Sequence, residues 1–318
     1  MTTYKEIRGT NIEAVASDPS NPVDGQVWYN TTSNVVKANT VNPGSWATVN
    51  SMNTARKALG SAGTQTAALA FGGSAPADSV LTESYNGTNW TEVNDLNTAQ
   101  GERTGVGATN TAALAFAGNT ALTETWNGTN WTEVNDLNTA RFGAAGAGTN
   151  TAALAIGGSA SGKVITELWN GTNWTEVNDL NTGRRYLAGC GITTAALAFG
   201  GAVVPPLSAA TETWNGTNWT EVNDLNTARA KLGGVGTNTA ALAFGGQVPA
   251  PEGSVTALTE SYNGTNWTEL GNLNTAREVL GGAGTNTAAL GFGGSVPPVT
   301  AVTEEWNAGP ATVTFDVS

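Results

Sequence analysis

The chain has 318 residues, no histidine, a single cysteine and a formal net charge of −12 at neutral pH. Without histidine there is no Ser-His-Asp or Cys-His nucleophile system and no His-ligated zinc, copper or iron site. The acidic balance speaks against phosphate-backbone binding, and no run of about 18 apolar residues offers a membrane-spanning helix.

The first residues, Met1-Thr2-Thr3-Tyr4-Lys5-Glu6, carry no apolar core of a secretory signal, so residues 1–43 are read as an N-terminal arm rather than a leader. From residue 44 onward the phrase Asn-Gly-Thr-Asn-Trp-Thr-Glu recurs, anchored by Trp90, Trp131, Trp174, Trp219 and Trp267, with a looser copy at Trp46. Each Trp precedes the Asn that opens the next unit: Asn53, Asn97, Asn138, Asn181, Asn226 and Asn274. These lie 44, 41, 43, 45 and 48 residues apart. Periods of about 40–50 residues with strand-like content indicate propeller blades, and six units make a ring.

The unit opening at Asn226 predicts four strands. A Gly-rich inner strand spans 228–236, and an Ala-rich apolar strand spans 239–244 and stops at Gly245-Gly246. An alternating strand then covers 258–262, and an outer strand begins at Trp267 after the turn Asn263-Gly264-Thr265-Asn266. The sixth unit lacks its own outer phrase, so the copy at Trp46 is expected to complete the last blade. The alternating tail 311–317 competes for that place or extends the sheet. The expected fold is thus all-β: a six-bladed propeller of four-stranded antiparallel blades over 44–318, with a short N-terminal extension that contains a hairpin.

The units differ chiefly in one loop. Between the Gly that ends the second strand and the Thr-Glu of the third lie 8, 4, 7, 9, 12 and 8 residues, and the second unit has one extra residue near Ala108. In an up-down meander that loop lies at the same end as the connection entering the next blade. One-sided variation in a repeat protein marks a binding face. Lys57, Arg103, Phe142, Lys163, Arg185, Tyr186, Lys231 and Glu252 are the candidate ligand-contacting residues there. All ten Lys and Arg beyond residue 50 fall at or near this end, which points to an acidic or polar surface ligand.

The regularly repeated side chains have structural readings. The aromatic residues are expected to pack blade on blade. The repeated Arg (Arg56, Arg141, Arg184, Arg229, Arg277) is expected to bond blade carbonyls or a neighbouring Asp, and Gln100 stands in its place in the second unit. Glu83, Glu124, Glu167, Glu212, Glu260 and Glu304 recur once per unit, without the asymmetry of a catalytic pair, and are expected to be solvated strand residues. Cys190 is read as a small packed side chain. The Asn-Asp-Leu-Asn turns lack calcium-loop spacing, and Asn-x-Thr triplets such as Asn86-Gly87-Thr88 read as turn chemistry rather than glycan acceptors. No metal, cofactor or catalytic residue is expected.

The apolar run ending Gly72-Gly73, then Tyr85 and Trp90, resembles the kelch type of β-propeller. The chain departs from that pattern in having four residues between Tyr85 and Trp90 rather than six, Ala117-Gly118 in the second unit, and an Ala-rich second strand. The resemblance covers residues 44–307 and implies a binding or scaffolding role. The oxidase branch of that family needs copper-ligating histidines that this chain lacks. The stretch Gly25-Gln26-Val27-Trp28-Tyr29-Asn30 resembles a segment of bacteriophage tail and fibre proteins. That likeness implies a non-enzymatic virion protein, on tail, fibre or capsid surface, made in the host cytoplasm. Its arm would meet other virion proteins, and its propeller a host glycan, a receptor or another virion protein. Homo-oligomerisation stays open. The alternative is a cellular kelch-like scaffold or adhesin with a protein partner.

Overall fold

The computed structural model describes residues 12–20, 25–158, 164–203, 206–249 and 254–315. Among these residues the chain is all-β, with five four-stranded antiparallel sheets, one six-stranded sheet and a two-stranded ribbon. It divides into two compact units. One holds the described residues up to Gly44 together with those from Ala308; the other is Ser45–Asn307.

In the larger unit each repeat folds as a meander. The repeat opening at Asn226 forms Gly233–Gly236, Ala241–Phe244, Thr259–Tyr262 and Trp267–Glu269, side by side in that order. The inner strand is shorter than the sequence suggests. Arg229 is buried inside the blade and Lys231 adopts φ 58°, a left-handed conformation that a strand cannot hold. The extra residue of the second unit is a bulge between Val106 and Thr109, where the pairing register shifts.

The Ala-rich second strand follows from how the sheets face one another. In Ala-Leu-Ala-Phe the large residues point one way and the small ones the other. Leu69 and Phe71 pack with Ala113 and Ala115 of the next repeat, Leu114 and Phe116 with Ala153 and Ala155, and Leu290 and Phe292 with Ala68 and Ala70. The outer-strand Trp closes each socket: Phe71 meets Trp131 at 4.8 Å, Phe116 meets Trp174 at 5.0 Å and Phe292 meets Trp90 at 4.9 Å between ring centroids. Each fully buried Leu or Phe contributes about 1.5–3 kcal/mol. That is why poor strand formers such as alanine are held extended here.

The sixth repeat supplies Gly281–Gly284, Ala288–Phe292 and the start of the long strand Thr303–Phe315. The outer place is taken by the end of the strand Val35–Val49, which carries Trp46. The tail up to Phe315 therefore continues the third strand and does not compete with the Trp46 copy. From Ala308 it groups with the smaller unit instead of with the repeats.

In the smaller unit Val27–Asn30 forms a hairpin with Val35–Val49, and Glu13–Val15 pairs parallel to it. Asp18 collects Trp28 Nε1 at 3.0 Å, Asn30 Nδ2 at 2.7 Å and Lys37 Nζ at 2.6 Å. Those donors hold its carboxyl down at about 2.

Candidate ligand site at the variable end of the repeats

Three residues after its first Asn each repeat has an opening position, held by Arg in all but the second, and this arginine turns inward. Arg56 donates through Nη1 to the carbonyls of Gly72 at 2.9 Å and Leu81 at 2.6 Å, and through Nη2 to Glu83 Oε1 at 2.9 Å. Glu83 Oε2 accepts from the Asn53 backbone N–H at 2.7 Å. The pair is buried, Arg56 being 0% and Glu83 1% exposed, and it recurs as Arg141–Glu167, Arg184–Glu212, Arg229–Glu260 and Arg277–Glu304, each at 2.9 Å. Burial pulls these guanidinium groups down while the facing carboxylate opposes it, and Arg277 settles at about 10.

Three expectations are corrected by this arrangement. The repeated glutamates are not solvated but are the buried partners of the arginines. The partner is Glu rather than Asp; Asp95 instead accepts from the Thr82 backbone N–H at 3.0 Å. Arg103, expected among the surface contacts, is instead buried, only 3% exposed. It reaches Ala117 O, Leu122 O and, at 3.0 Å, Glu124 Oε1, so it fills from three residues downstream the place vacated at Gln100. Sequence spacing hid this substitution, because a long side chain can enter the same cavity from a different backbone position. Cys190 is buried as expected, its thiol pushed up to about 12 by burial.

Two residues past each opening position stand Ala58, Glu102, Gly143, Tyr186, Lys231 and Val279, all left-handed, with φ between 49° and 61°. Their backbones are linked: Ala58 N–H donates to Val279 O at 2.8 Å, Val279 to Lys231 at 2.8 Å, Lys231 to Tyr186 at 2.8 Å and Tyr186 to Gly143 at 2.7 Å. These six residues rim a cavity of about 160 Å³ walled by the inner strands.

Side chains that differ between repeats meet on one sector of this rim. The Arg185 guanidinium lies 5.6 Å from the Phe142 ring centroid and 5.4 Å from that of Tyr186, and the two rings are 6.0 Å apart. Lys231 Nζ sits 5.9 Å from the Tyr186 ring and 3.3 Å from Glu278 Oε2. The Tyr186 hydroxyl donates to Glu102 Oε1 at 2.9 Å, and burial beside that carboxylate raises it to about 12. A second cavity, of about 430 Å³, opens beside Arg185, Tyr186, Lys231, Ala202, Leu207 and Gln247.

Of the sequence candidates, Phe142, Arg185, Tyr186 and Lys231 come together. Lys57 joins none of these contacts; its backbone pairs with Ser74. Lys163 and Glu252 lie outside the described residues. Glu102, Glu278 and Gln247 complete the cluster but were not among the candidates. Glu102 and Glu278 do stand among the residues that differ just after each arginine position. No family model matches the chain, and no curated protein matches it. The architecture that stands is all-β, built of repeated four-stranded antiparallel sheets, consistent with a β-propeller.

Proposed function

We propose that residues 45–307 form a closed six-bladed, kelch-like β-propeller that binds a ligand rather than performing catalysis. In this reading the N-terminal segment attaches it to a bacteriophage particle, on tail, fibre or capsid surface, where it adheres to a host surface or to another virion protein. The observation that carries the binding role is the cluster of Phe142, Arg185, Tyr186 and Lys231, built from residues that differ between otherwise near-identical repeats. Left-handed φ at bulky residues costs of order 1–3 kcal/mol, and such strain gathers at functional sites; four of the rim positions with side chains beyond alanine, Glu102, Tyr186, Lys231 and Val279, bear it.

Two observations support the ring. Each inner strand touches the next, and Gly281–Gly284 touches Gly60–Thr64 of the first repeat. The Ala58 to Val279 hydrogen bond joins the same two repeats. The virion role is supported by the resemblance of the Trp28-Tyr29-Asn30 hairpin to phage tail segments.

The test is proteomics and cryo-electron microscopy of purified particles from the source, with binding of the labelled full chain to host cells. The expected result is six-bladed density on the particle and cell binding that falls in Tyr186→Ala. A chain absent from particles would overturn the virion role, and unchanged binding in Tyr186→Ala would overturn the site.

A further inference from the structure

We infer that the cleft beside Arg185 receives the carboxylate of a sugar acid. The inference rests on the variable end being the binding face.

Seven arginines are described in the larger unit, and six of them spend their Nη2 atoms on a buried glutamate. Arg185 is the seventh. Among the described residues its side chain makes no hydrogen bond or ion pair, and its buried Nε has no partner. What holds it is contact with two aromatic rings, Phe142 and Tyr186. Contact of this kind anchors the guanidinium while neither Nη group is committed to a protein acceptor, and an uncommitted pair of Nη groups can take a carboxylate through two parallel hydrogen bonds.

The surroundings choose the rest of the ligand. The cleft measures about 430 Å³, inside the usual range of about 300–1,000 Å³ for small-molecule sites. Its wall offers the Gln247 side-chain amide, which has no partner among the described residues, and the small apolar surfaces of Ala202 and Leu207. An amide for hydroxyls and a modest apolar wall suit a sugar ring. An extended peptide would need an open backbone edge. Here the backbone of Arg185 is paired with Ala202, and that of Ala230 with Gln247. A polyanion is disfavoured by the net charge of −12 and by Glu102 and Glu278 close by.

The experiment is titration of the full chain with glucuronate, glucose, inorganic phosphate and an acidic peptide, read by saturation-transfer NMR and calorimetry. Glucuronate is expected to bind at least about tenfold more tightly than glucose, equivalent to about 1.4 kcal/mol. Arg185→Gln should abolish the preference and Arg185→Lys should reduce it. The thermal midpoint of Arg185→Gln should fall only slightly, since the side chain loses two ring contacts but no hydrogen bond or ion pair. Glucose binding as well as glucuronate, or an unaltered preference in Arg185→Gln, would overturn the inference. So would phosphate or the acidic peptide binding as tightly as glucuronate. Cell binding that is lost in Tyr186→Ala but indifferent to Arg185→Gln would overturn the sugar-acid assignment while leaving the adhesive face intact. Absence from particles would leave the sugar-acid site standing and remove only the virion role.

Discussion

The indole Nε1 of Trp46 donates to Thr259 Oγ1 over 2.9 Å, across 213 residues of chain. The same contact joins Trp131 to Thr82, Trp174 to Thr123, Trp219 to Thr166 and Trp267 to Thr211, each reaching from an outer strand to the third strand of the preceding repeat. Trp90 continues the series by donating to Thr303 at 3.1 Å. Asn274 Nδ2 meets the Trp46 carbonyl at 3.0 Å, as Asn226 meets that of Trp267 at 3.1 Å. An N-terminal residue thus does in the sixth repeat what a local residue does in every other.

We predict that Trp46→Ala destabilises the repeats about as much as Trp267→Ala, by roughly 3–5 kcal/mol. Urea denaturation followed by circular dichroism would measure it. A loss under about 1 kcal/mol for Trp46→Ala alone would show that the N-terminal segment is not holding the last sheet.

Arg103→Ala should strand Glu124 in the interior without its cation. Removing one partner of a buried pair costs about 3–5 kcal/mol, whereas replacing both with apolar residues is far milder. The expected outcome is a large loss for Arg103→Ala and substantial recovery in the double variant Arg103→Met, Glu124→Leu. If Arg103→Ala melts like the parent while changing ligand binding, the residue belongs to the surface after all.

The repeat period, the four-strand order and the use of Trp46 were legible because each is written locally in the phrase around a Trp or a turn. The fate of the glutamates was not. Glu83 and Arg56 are 27 residues apart, and alternation along Thr82-Glu83-Ser84-Tyr85 gives the side of the sheet but not what faces it. Of the candidate site, Phe142, Arg185, Tyr186 and Lys231 were legible as departures from an otherwise repeated text. Glu102 and Glu278 were legible as residues that differ between repeats, and Gln247 as the start of a variable loop on the same face, but spacing alone did not show which side chains they meet.

Cys190 should resist alkylation in the native state. Burial pushes its thiol up to about 12, so the reactive thiolate is scarce at pH 8. Mass spectrometry after iodoacetamide treatment should show modification only once the chain is unfolded in urea. Rapid labelling of the native chain would contradict the burial of the inner strand that carries it.

Asp18 gives the smaller unit a pH dependence. Its folded value of about 2 lies below the ordinary 3.8, so its contribution is complete above about pH 4 and is lost as pH falls towards 2. We predict that hydrogen exchange at the Trp28 indole quickens over that window, and that Asp18→Asn exchanges fast at neutral pH as well. An exchange rate flat from pH 5 to pH 2 would show that the carboxylate does not hold the hairpin.

The backbone links among Ala58, Gly143, Tyr186, Lys231 and Val279 are made by main-chain atoms alone. The same left-handed conformation is thus held at positions bearing Ala, Glu, Gly, Tyr, Lys and Val, with a strain cost that grows with the side chain. What distinguishes one unit from another at this end is therefore the side chain and its partners, such as Tyr186 with Glu102 and Lys231 with Glu278, set on a shared main-chain frame. The repeats thus resemble one line of type set six times, in which only a few characters differ from copy to copy.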